Sequence, residues 1–230
     1  MKSMNNFVES FDTYLYNVNL SDEKNNKTIH DDFKYFKETN NFNTFLNSSY
    51  TKSNLFYAMY NSSCKMTNII FNMQLSKGPI LIYSNQVMIE GLQIIKIYLK
   101  HIKYSQFNSN LDGNNYLRYT EFTGNIDKDI RVYNVRQFNE PENFKGKHIN
   151  VILLSPAGTE GINLFNIRQV HILEPYWDEV RTLQLIGRAN RSCGHKLLPV
   201  NERIVDIFRY HIVRNPIVPS KAKLGRLTID

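Results

Sequence analysis

Cysteine and long apolar runs are both scarce in this sequence. The 230 residues contain two cysteines, Cys64 and Cys193, and neither has a second cysteine nearby at the spacing of metal ligands. This pattern argues against a disulfide framework and against a structural zinc site. No segment has the length of uncharged apolar residues that spans a bilayer, and residues 1–12 lack the apolar core of a signal peptide. We therefore expect an intracellular, soluble chain with no membrane partner and no metal of its own.

Acidic residues are fewer than basic ones. Lys and Arg number 28 against 21 Asp and Glu, which gives a formal net charge of +7. A basic balance favours a polyanionic partner, and nucleic acid is the first candidate. We expect DNA in preference to RNA. Since many basic proteins bind no nucleic acid, this expectation depends on the motifs described below.

Composition divides the chain into three regions. Residues 1–62 are rich in Asn but contain too many aromatic residues for a disordered tail, so they predict an irregular or helical extension whose short helices pack on the main domain. Residues 63–212 form that domain. Residues 213–230 are a basic tail that Pro216 and Pro219 interrupt. The length predicts one domain of ordinary size with these extensions.

Alternating strand and helix patterns within residues 63–212 predict an α/β fold. Short aliphatic runs, typical of strands in a parallel sheet, alternate with stretches of helical periodicity. In one helix we expect Ile130, Val135 and Phe138 to point inward. The pattern predicts about five parallel strands flanked by helices. Strands are expected at 80–84, 116–122, 151–154, 169–173 and 203–210, and helices at 63–74, 90–101, 130–138 and 179–189.

A glycine-containing turn follows the most apolar strand. The run Val151–Leu154 leads into a segment with Gly158 and Gly161, which permit a tight turn and a close approach of the backbone to a ligand. Ligands of open parallel sheets bind just outside the carboxyl ends of the strands, which is where this turn falls. The sequence therefore predicts a ligand site at the turn.

The helix at 179–189 presents arginine on one face. Asp178 is suited to cap this helix, in which Gln184 and Arg188 are four residues apart, and Arg191 follows three residues later. This spacing places the three side chains on one face. Because the guanidinium fork matches phosphate oxygens, two arginines on one face suit a phosphoryl group.

These segments resemble the motifs of superfamily 2 helicases and translocases. SPAGTEGINL is similar to motif V, and QLIGRANR is similar to motif VI, whose pattern is Q-x-x-G-R-x-x-R. GPILIYSN resembles motif IV, and EFTG with the later RQFNEPEN resembles the strand and helix that precede motif V. The segment 187–210 is similar to the helicase-like NTPases of large DNA viruses, of the poxvirus nucleoside triphosphate phosphohydrolase I and early transcription factor small-subunit type. The resemblance covers residues 63–212.

The resemblance implies the fold of a helicase C-terminal domain, which is a RecA-like parallel sheet flanked by helices. It also implies a role for several residues of this sequence. The catalytic arginine fingers on the γ-phosphate of ATP would be Arg188 and Arg191. Further contacts to ATP would come from Gly161, Asn163 and Gln184. Contacts to the nucleic-acid backbone would come from Ser84, Asn85, Ser155 and Thr159. For a viral protein, the implied location is the host cytoplasm or the virion.

The phosphate loop of such motors has no counterpart in the 230 residues. The pattern G-x-x-x-x-G-K-[ST] does not occur, and the segment 145–148 is not a match. The doublet at 178–179 is the nearest mimic of the acidic pair that holds magnesium, but it opens a helix and is interpreted as a cap. We therefore expect ATP and Mg²⁺ to bind only when another domain completes the site. The expected partner is an amino-terminal helicase domain, in trans or from a split gene.

Three interpretations are open on these grounds. The first is the C-terminal half of an ATP-dependent helicase or translocase that is inactive alone. The second is a module of the same fold that binds nucleic acid or a transcription complex without hydrolysis. The third is a small nucleotidase that uses Arg188, Arg191 and His195, which would need a metal or general-base cluster that the scattered histidines do not supply. The paired arginines favour the first interpretation over the second.

Overall fold

A six-stranded parallel sheet forms the centre of the protein. The computed structural model describes residues 2–88, 91–107, 117–156, 162–174, 179–190 and 194–212, with side chains from residue 6 onward. The strands are β1 Ile80–Tyr83, β2 Ser105–Gln106, β3 Arg118–Phe122, β4 Val151–Leu154, β5 Gln169–Ile172 and β6 Asp206–Arg209. Their order is β2-β3-β4-β1-β5-β6, and all neighbours are parallel. This order matches the expected RecA-like sheet.

Helices cover both faces of the sheet. They are α1 Lys2–Lys24, α2 Ile29–Thr39, α3 Phe42–Asn47, α4 Asn54–Ser62, α5 Cys64–Met73, α6 Leu92–His101, α7 Lys128–Asn139 and α8 Glu179–Ala189. Since successive side chains of a strand point to opposite faces, the central strand contributes to two cores. Ile80 and Ile82 pack in the core formed by α1–α6, whereas Leu81 and Tyr83 pack in the core formed by α7 and α8. The strands β1, β4 and β5 are buried along their whole length, which explains the continuous apolar runs of β1 and β4.

The buried phenylalanines of the first 62 positions belong to the same core as one face of the sheet. Phe71 of α5 is fully buried. Five phenylalanine rings from α2, α3 and α4 surround it at centroid distances of 4.9 to 5.5 Å: Phe33, Phe36, Phe42, Phe45 and Phe56. The expectation of short packed helices holds for α2 to α4, but α1 is longer, with 23 residues.

Two buried aspartates hold the start of α4. The carboxylate of Asp22 accepts hydrogen bonds from the backbone N–H groups of Asn54 and Leu55 at 3.0 and 2.7 Å. The carboxylate of Asp32 accepts from the Ser53 hydroxyl at 2.6 Å. Anions are favourable at a helix N-terminus because its N–H groups are unpaired and its dipole is positive there. The helix α4 is thus tied to both α1 and α2.

Two details differ from the sequence expectations. The sheet has six strands instead of about five, because β2 has only two residues and is too short to produce a periodic pattern. Ile130 does not point inward and is 54% exposed. The buried positions of α7 are Asn134 and Phe138, and the Arg131 guanidinium lies over the ring of Phe122 at 5.5 Å. The stem of Arg131 therefore occupies the inward position that was expected for Ile130.

Most of the predicted elements are confirmed with small changes at their ends. The helix at 179–189 and the strand at 151–154 have the predicted bounds. The last strand covers 206–209 and is shorter than the predicted 203–210. The Asp178 cap and the tail at 213–230 lie outside the described residues. A membrane crossing would need a longer and more apolar helix than any in the described part of the chain.

Candidate nucleic-acid and nucleotide interface

The carboxyl ends of β1 and β4 meet where the chain changes direction. After β1 the chain crosses the α6 face to the β2 edge of the sheet, whereas after β4 it proceeds to β5 on the other side. Open α/β sheets bind ligands at such a switch point. Ser84 and Ser155 follow these two strands directly, and the N–H of Ser84 donates to the Leu154 carbonyl at 3.1 Å. The structure thus brings two of the predicted nucleic-acid residues to one edge.

The Ser84 side chain is used inside the protein. Ser84 is fully buried. Its hydroxyl lies 2.9 Å from Glu174 Oε2 and 2.8 Å from the Gln86 carbonyl, and it accepts from the Gln86 N–H at 3.0 Å. Asn85, also predicted to contact nucleic acid, is half-buried, and its N–H donates to the same Glu174 oxygen at 3.0 Å. Ser84 therefore shapes the turn, and Asn85 is the more accessible of the two.

Glu174 is a site residue that the motifs did not reveal. It follows β5, and its carboxylate bridges to the turn after β1. Lys65 Nζ lies 3.8 Å from Glu174 Oε1 and donates to the Leu173 carbonyl at 3.2 Å. Burial raises the pKa of the Glu174 carboxyl above its ordinary value, and hydrogen bonds from Ser84 and Asn85 with the charge of Lys65 offset part of that effect. The one sequence signal that could have found Glu174 is its place, as an acidic residue, at the end of a buried strand.

Two hydroxyls at the same edge are buried without a hydrogen-bond partner. Ser155, after β4, is 1% exposed, and Thr123, after β3, is fully buried. Neither Ser155 Oγ nor Thr123 Oγ1 has a partner among the described residues. A buried hydroxyl that makes no hydrogen bond costs free energy, so such atoms tend to mark functional edges. Thr159, the fourth predicted nucleic-acid residue, lies outside the described residues.

The arginine helix packs onto the segment that follows the glycine turn. Arg188 of α8 is half-buried, and its Nη1 donates to the Ile162 carbonyl at 3.1 Å. Gln184, one turn earlier, is exposed on the same helix. Asn163 is also exposed and directly follows Ile162. Arg188 thus contacts the segment that contains Asn163, while Gly161 and Arg191 lie outside the described residues.

Asn139, at the end of α7, clamps the same segment from the other side. Its Nδ2 donates to the Asn163 carbonyl at 2.8 Å, and its Oδ1 accepts from the Phe165 N–H at 2.9 Å. With Arg188 on Ile162, three hydrogen bonds fix the backbone at 162–165. The segment RQFNEPEN contains Asn139, but the resemblance gave this residue no role, because its partners are more than twenty residues away in the chain.

These residues fit one end of a nucleotide. Arg188 and Gln184 offer donors to phosphate oxygens from one helix face. Among the described residues, no group of three His, Cys, Asp or Glu side chains is placed to hold a metal ion. Arg188 and Gln184 are therefore chemically suited to a phosphate group.

Two buried histidines serve structural contacts. His195 Nε2 lies 2.7 Å from the Ile167 carbonyl, and since a carbonyl only accepts, this nitrogen carries the proton. Burial lowers the pKa of His171 to about 3, and its Nδ1 lies 2.8 Å from the Tyr210 hydroxyl. Neither ring is placed as a general base, which weighs against the small-nucleotidase interpretation.

A parallel sheet in this order, with an arginine helix packed against the segment after β4, defines a RecA-like helicase C-terminal domain. Residues 64–193 match the family described as Helicase conserved C-terminal domain. This match covers more than half of the chain. The chain belongs to that family.

The relatives of the chain are viral helicase-like NTPases. A protein of Acanthamoeba polyphaga mimivirus, named as an ATP-dependent RNA helicase, is 42% identical over 93% of this chain and 26% of its own length. Nucleoside triphosphatase I of Melanoplus sanguinipes entomopoxvirus is 30% identical over 90% of this chain and 32% of its own length. The termination factor NPH-I homolog of African swine fever virus is 32% identical over 67% of this chain and 26% of its own length. The chain thus spans between a quarter and a third of these relatives.

Proposed function

We propose that the chain is the C-terminal half of an ATP-dependent nucleic-acid helicase or translocase and works with a domain that carries the phosphate loop. The observation that carries this proposal is the hydrogen bond from Arg188 of α8 to Ile162, in the segment that follows β4 and Ser155. One side of this arrangement suits a nucleotide phosphate and the other suits a nucleic-acid backbone. The names of the viral relatives agree with both roles.

In this proposal the arginines act on charge that develops during phosphoryl transfer. ATP, held with Mg²⁺ by the other domain, supplies the phosphoryl group. Arg188 and Arg191 neutralise charge on its oxygens, and such fingers are worth about 10³ to 10⁵ in rate in phosphoryl-transfer systems. The hydrogen bond from Arg188 Nη1 to the Ile162 carbonyl fixes the orientation of the guanidinium and connects α8 to the segment 162–165. Movement of the nucleotide would thus be transmitted to the nucleic-acid edge.

A second candidate is a binding module of the same fold that does not hydrolyse ATP. The observation that favours it is the same bond, because an Arg188 held by Ile162 also makes sense as a purely structural tie between α8 and the preceding segment. Nucleic-acid binding is common to both candidates. ATP turnover separates them.

The decisive experiment is an ATPase assay of the chain alone and mixed with a phosphate-loop domain. Alone, the chain should hydrolyse ATP no faster than buffer, because its sequence lacks the phosphate-loop pattern that binds the β-phosphate and magnesium. In the complex, turnover should collapse in Arg191→Lys and in Arg188→Lys, since Lys keeps the charge but loses the fork. Arg136→Lys is the matched control, because Arg136 of α7 is exposed and its Nε lies 3.7 Å from Oε1 of Glu140, which directly follows the helix.

The outcomes distinguish the candidates. Loss of turnover in both finger variants with unchanged melting temperatures supports the motor. Near wild-type ATPase in both variants replaces the motor with the binding module. Robust turnover by the purified chain alone would contradict the need for a second domain.

Binding to nucleic acid is tested separately with single-stranded DNA and RNA of one sequence. We expect weak, sequence-independent binding whose log affinity falls linearly with log salt, since phosphate neutralisation releases counterions. Affinity that ignores salt, or no binding to either nucleic acid, would contradict the proposed interface. The ratio of the two affinities tests the expected preference for DNA.

A further inference from the structure

We propose that Glu174 is a positioning residue for nucleic-acid binding, which fixes the turn 84–86 so that Asn85 can reach the sugar-phosphate backbone. This inference rests on the proposed function and adds to it a residue that no motif contains. Glu174 itself does not contact the nucleic acid. It acts through Asn85, and Lys65 holds it in place.

The contacts of Glu174 determine the shape of the turn. One carboxylate oxygen, Oε2, accepts from the Asn85 N–H at 3.0 Å and lies 2.9 Å from the Ser84 hydroxyl. It thus joins two consecutive residues of the turn to the end of β5, about ninety residues away in the chain. Hydrogen bonds to a charged acceptor are stronger than neutral ones, so this oxygen is an effective anchor.

The Asn85 side chain is oriented by a second contact. Its Oδ1 accepts from the Tyr83 hydroxyl at 2.8 Å. The carboxamide is held by its oxygen, and its Nδ2 group only donates. Phosphate oxygens only accept. The backbone of Asn85 is thus held by Glu174 and its side chain by Tyr83, which leaves a donor suited to a phosphate.

Lys65 keeps the carboxylate in position without a hydrogen bond to it. Its Nζ is 3.8 Å from Glu174 Oε1, which is buried and makes no hydrogen bond within the described residues. The same Nζ is fixed by its bond to the Leu173 carbonyl. Because the pair is half-buried, solvent ions screen the attraction between the Lys65 ammonium and the Glu174 carboxylate less than they screen a surface pair. The two opposite charges nearly cancel in their effect on an approaching phosphate.

A second lysine–glutamate pair, between α6 and β3, provides a matched control. Lys96 Nζ lies 3.0 Å from Glu121 Oε1. Glu121 is 5% exposed and lies within β3, paired in register with Leu153, and its ion pair is with Lys96 of α6 instead of with the turn 84–86. A change at Glu121 therefore reproduces the loss of a buried carboxylate contact without touching the turn.

The test uses Glu174→Asp, which keeps the charge but withdraws the carboxylate by one methylene from Asn85. Affinity for a single-stranded oligonucleotide should fall about three- to tenfold, as expected for one hydrogen bond. Glu121→Asp should stay within about twofold of wild type. Asn85→Ala should weaken binding as Glu174→Asp does, and the double variant should bind no more weakly than Asn85→Ala, since both act through one contact.

Amide hydrogen exchange gives an independent readout. Exchange at 84–86 should accelerate in Glu174→Asp and stay unchanged in Glu121→Asp, whether or not the chain binds nucleic acid. If the wild type binds no oligonucleotide, the proposed function fails, while exchange still decides whether Glu174 holds the turn. Additive losses in the double variant, or equal exchange in both Asp variants, would overturn the inference.

Lys65→Met repeats the comparison if Glu174→Asp does not fold. It leaves the carboxylate but removes its counter-ion, and Lys96→Met is its control. We expect weaker binding and faster exchange at 84–86 in Lys65→Met alone. Equal behaviour of the two lysine variants would contradict the inference.

Discussion

Replacement of Phe71 by Ala tests whether the first 62 residues fold as one unit with the sheet. Phe71 belongs to α5, whereas the five rings around it belong to α2, α3 and α4, and the residue is fully buried. Its removal would leave a cavity between the N-terminal helices and the sheet domain. A Phe→Ala change in a core costs about 3–5 kcal/mol of unfolding free energy.

The expected loss lies toward the upper end of that range. Each aromatic pair adds about 0.5–1.5 kcal/mol beyond the area that it buries, although neighbouring pairs are not additive. Domains are stable by about 5–15 kcal/mol in all, so the variant should be marginal. For a chain of this size the melting temperature should fall by roughly 6–20 °C.

Urea unfolding followed by circular dichroism and hydrogen exchange provides the measurement. Exchange in α2 and in β1 should accelerate together, because a single cooperative unit opens as a whole. Phe7→Ala is the control, since Phe7 is 54% exposed and its removal should change stability by less than about 0.5 kcal/mol. A loss below about 1 kcal/mol, or separate unfolding of the helices and the sheet, would refute the reasoning.

Three further changes test single contacts. Asn139→Ala removes two hydrogen bonds to the backbone and should lower the free energy of unfolding by about 1–2 kcal/mol. Hydrogen exchange at the Phe165 amide should become faster, and unchanged exchange there would contradict the clamp. Asp22→Ala leaves the buried Leu55 N–H without its acceptor and should lower the free energy of unfolding in urea by about 1–3 kcal/mol. An unchanged free energy of unfolding would show that α4 does not need this cap. The raised pKa of Glu174 means that ionisation of this carboxyl destabilises the folded state. The unfolding free energy of the wild type, relative to that of Glu174→Gln, should therefore be greatest in acid and fall as the pH rises through the raised pKa. Urea midpoints over a pH series measure this difference, and a flat difference would contradict the effect of burial.

Local periodicity was sufficient to predict most of the elements. The apolar run at 151–154 and the helix at 179–189 have the predicted bounds, because each is specified by side chains that are neighbours in the chain. The same reasoning failed at Ile130, where the aliphatic stem of Arg131 occupies the inward position. It also missed β2, whose two residues pair with β3 through backbone hydrogen bonds that leave no side-chain pattern.

The sequence by itself determined the α/β alternation, the order of the motifs and the presence of arginine on one face of a helix. These properties depend on residues within a few positions of one another. Only the tertiary structure decided that Arg188 is held by Ile162, that Asn139 clamps Asn163, and that Glu174 anchors Ser84 and Asn85. Those contacts join residues 24 to 90 positions apart, and hydrogen bonds between such residues depend on how the strands and helices are packed in space, which no local pattern encodes.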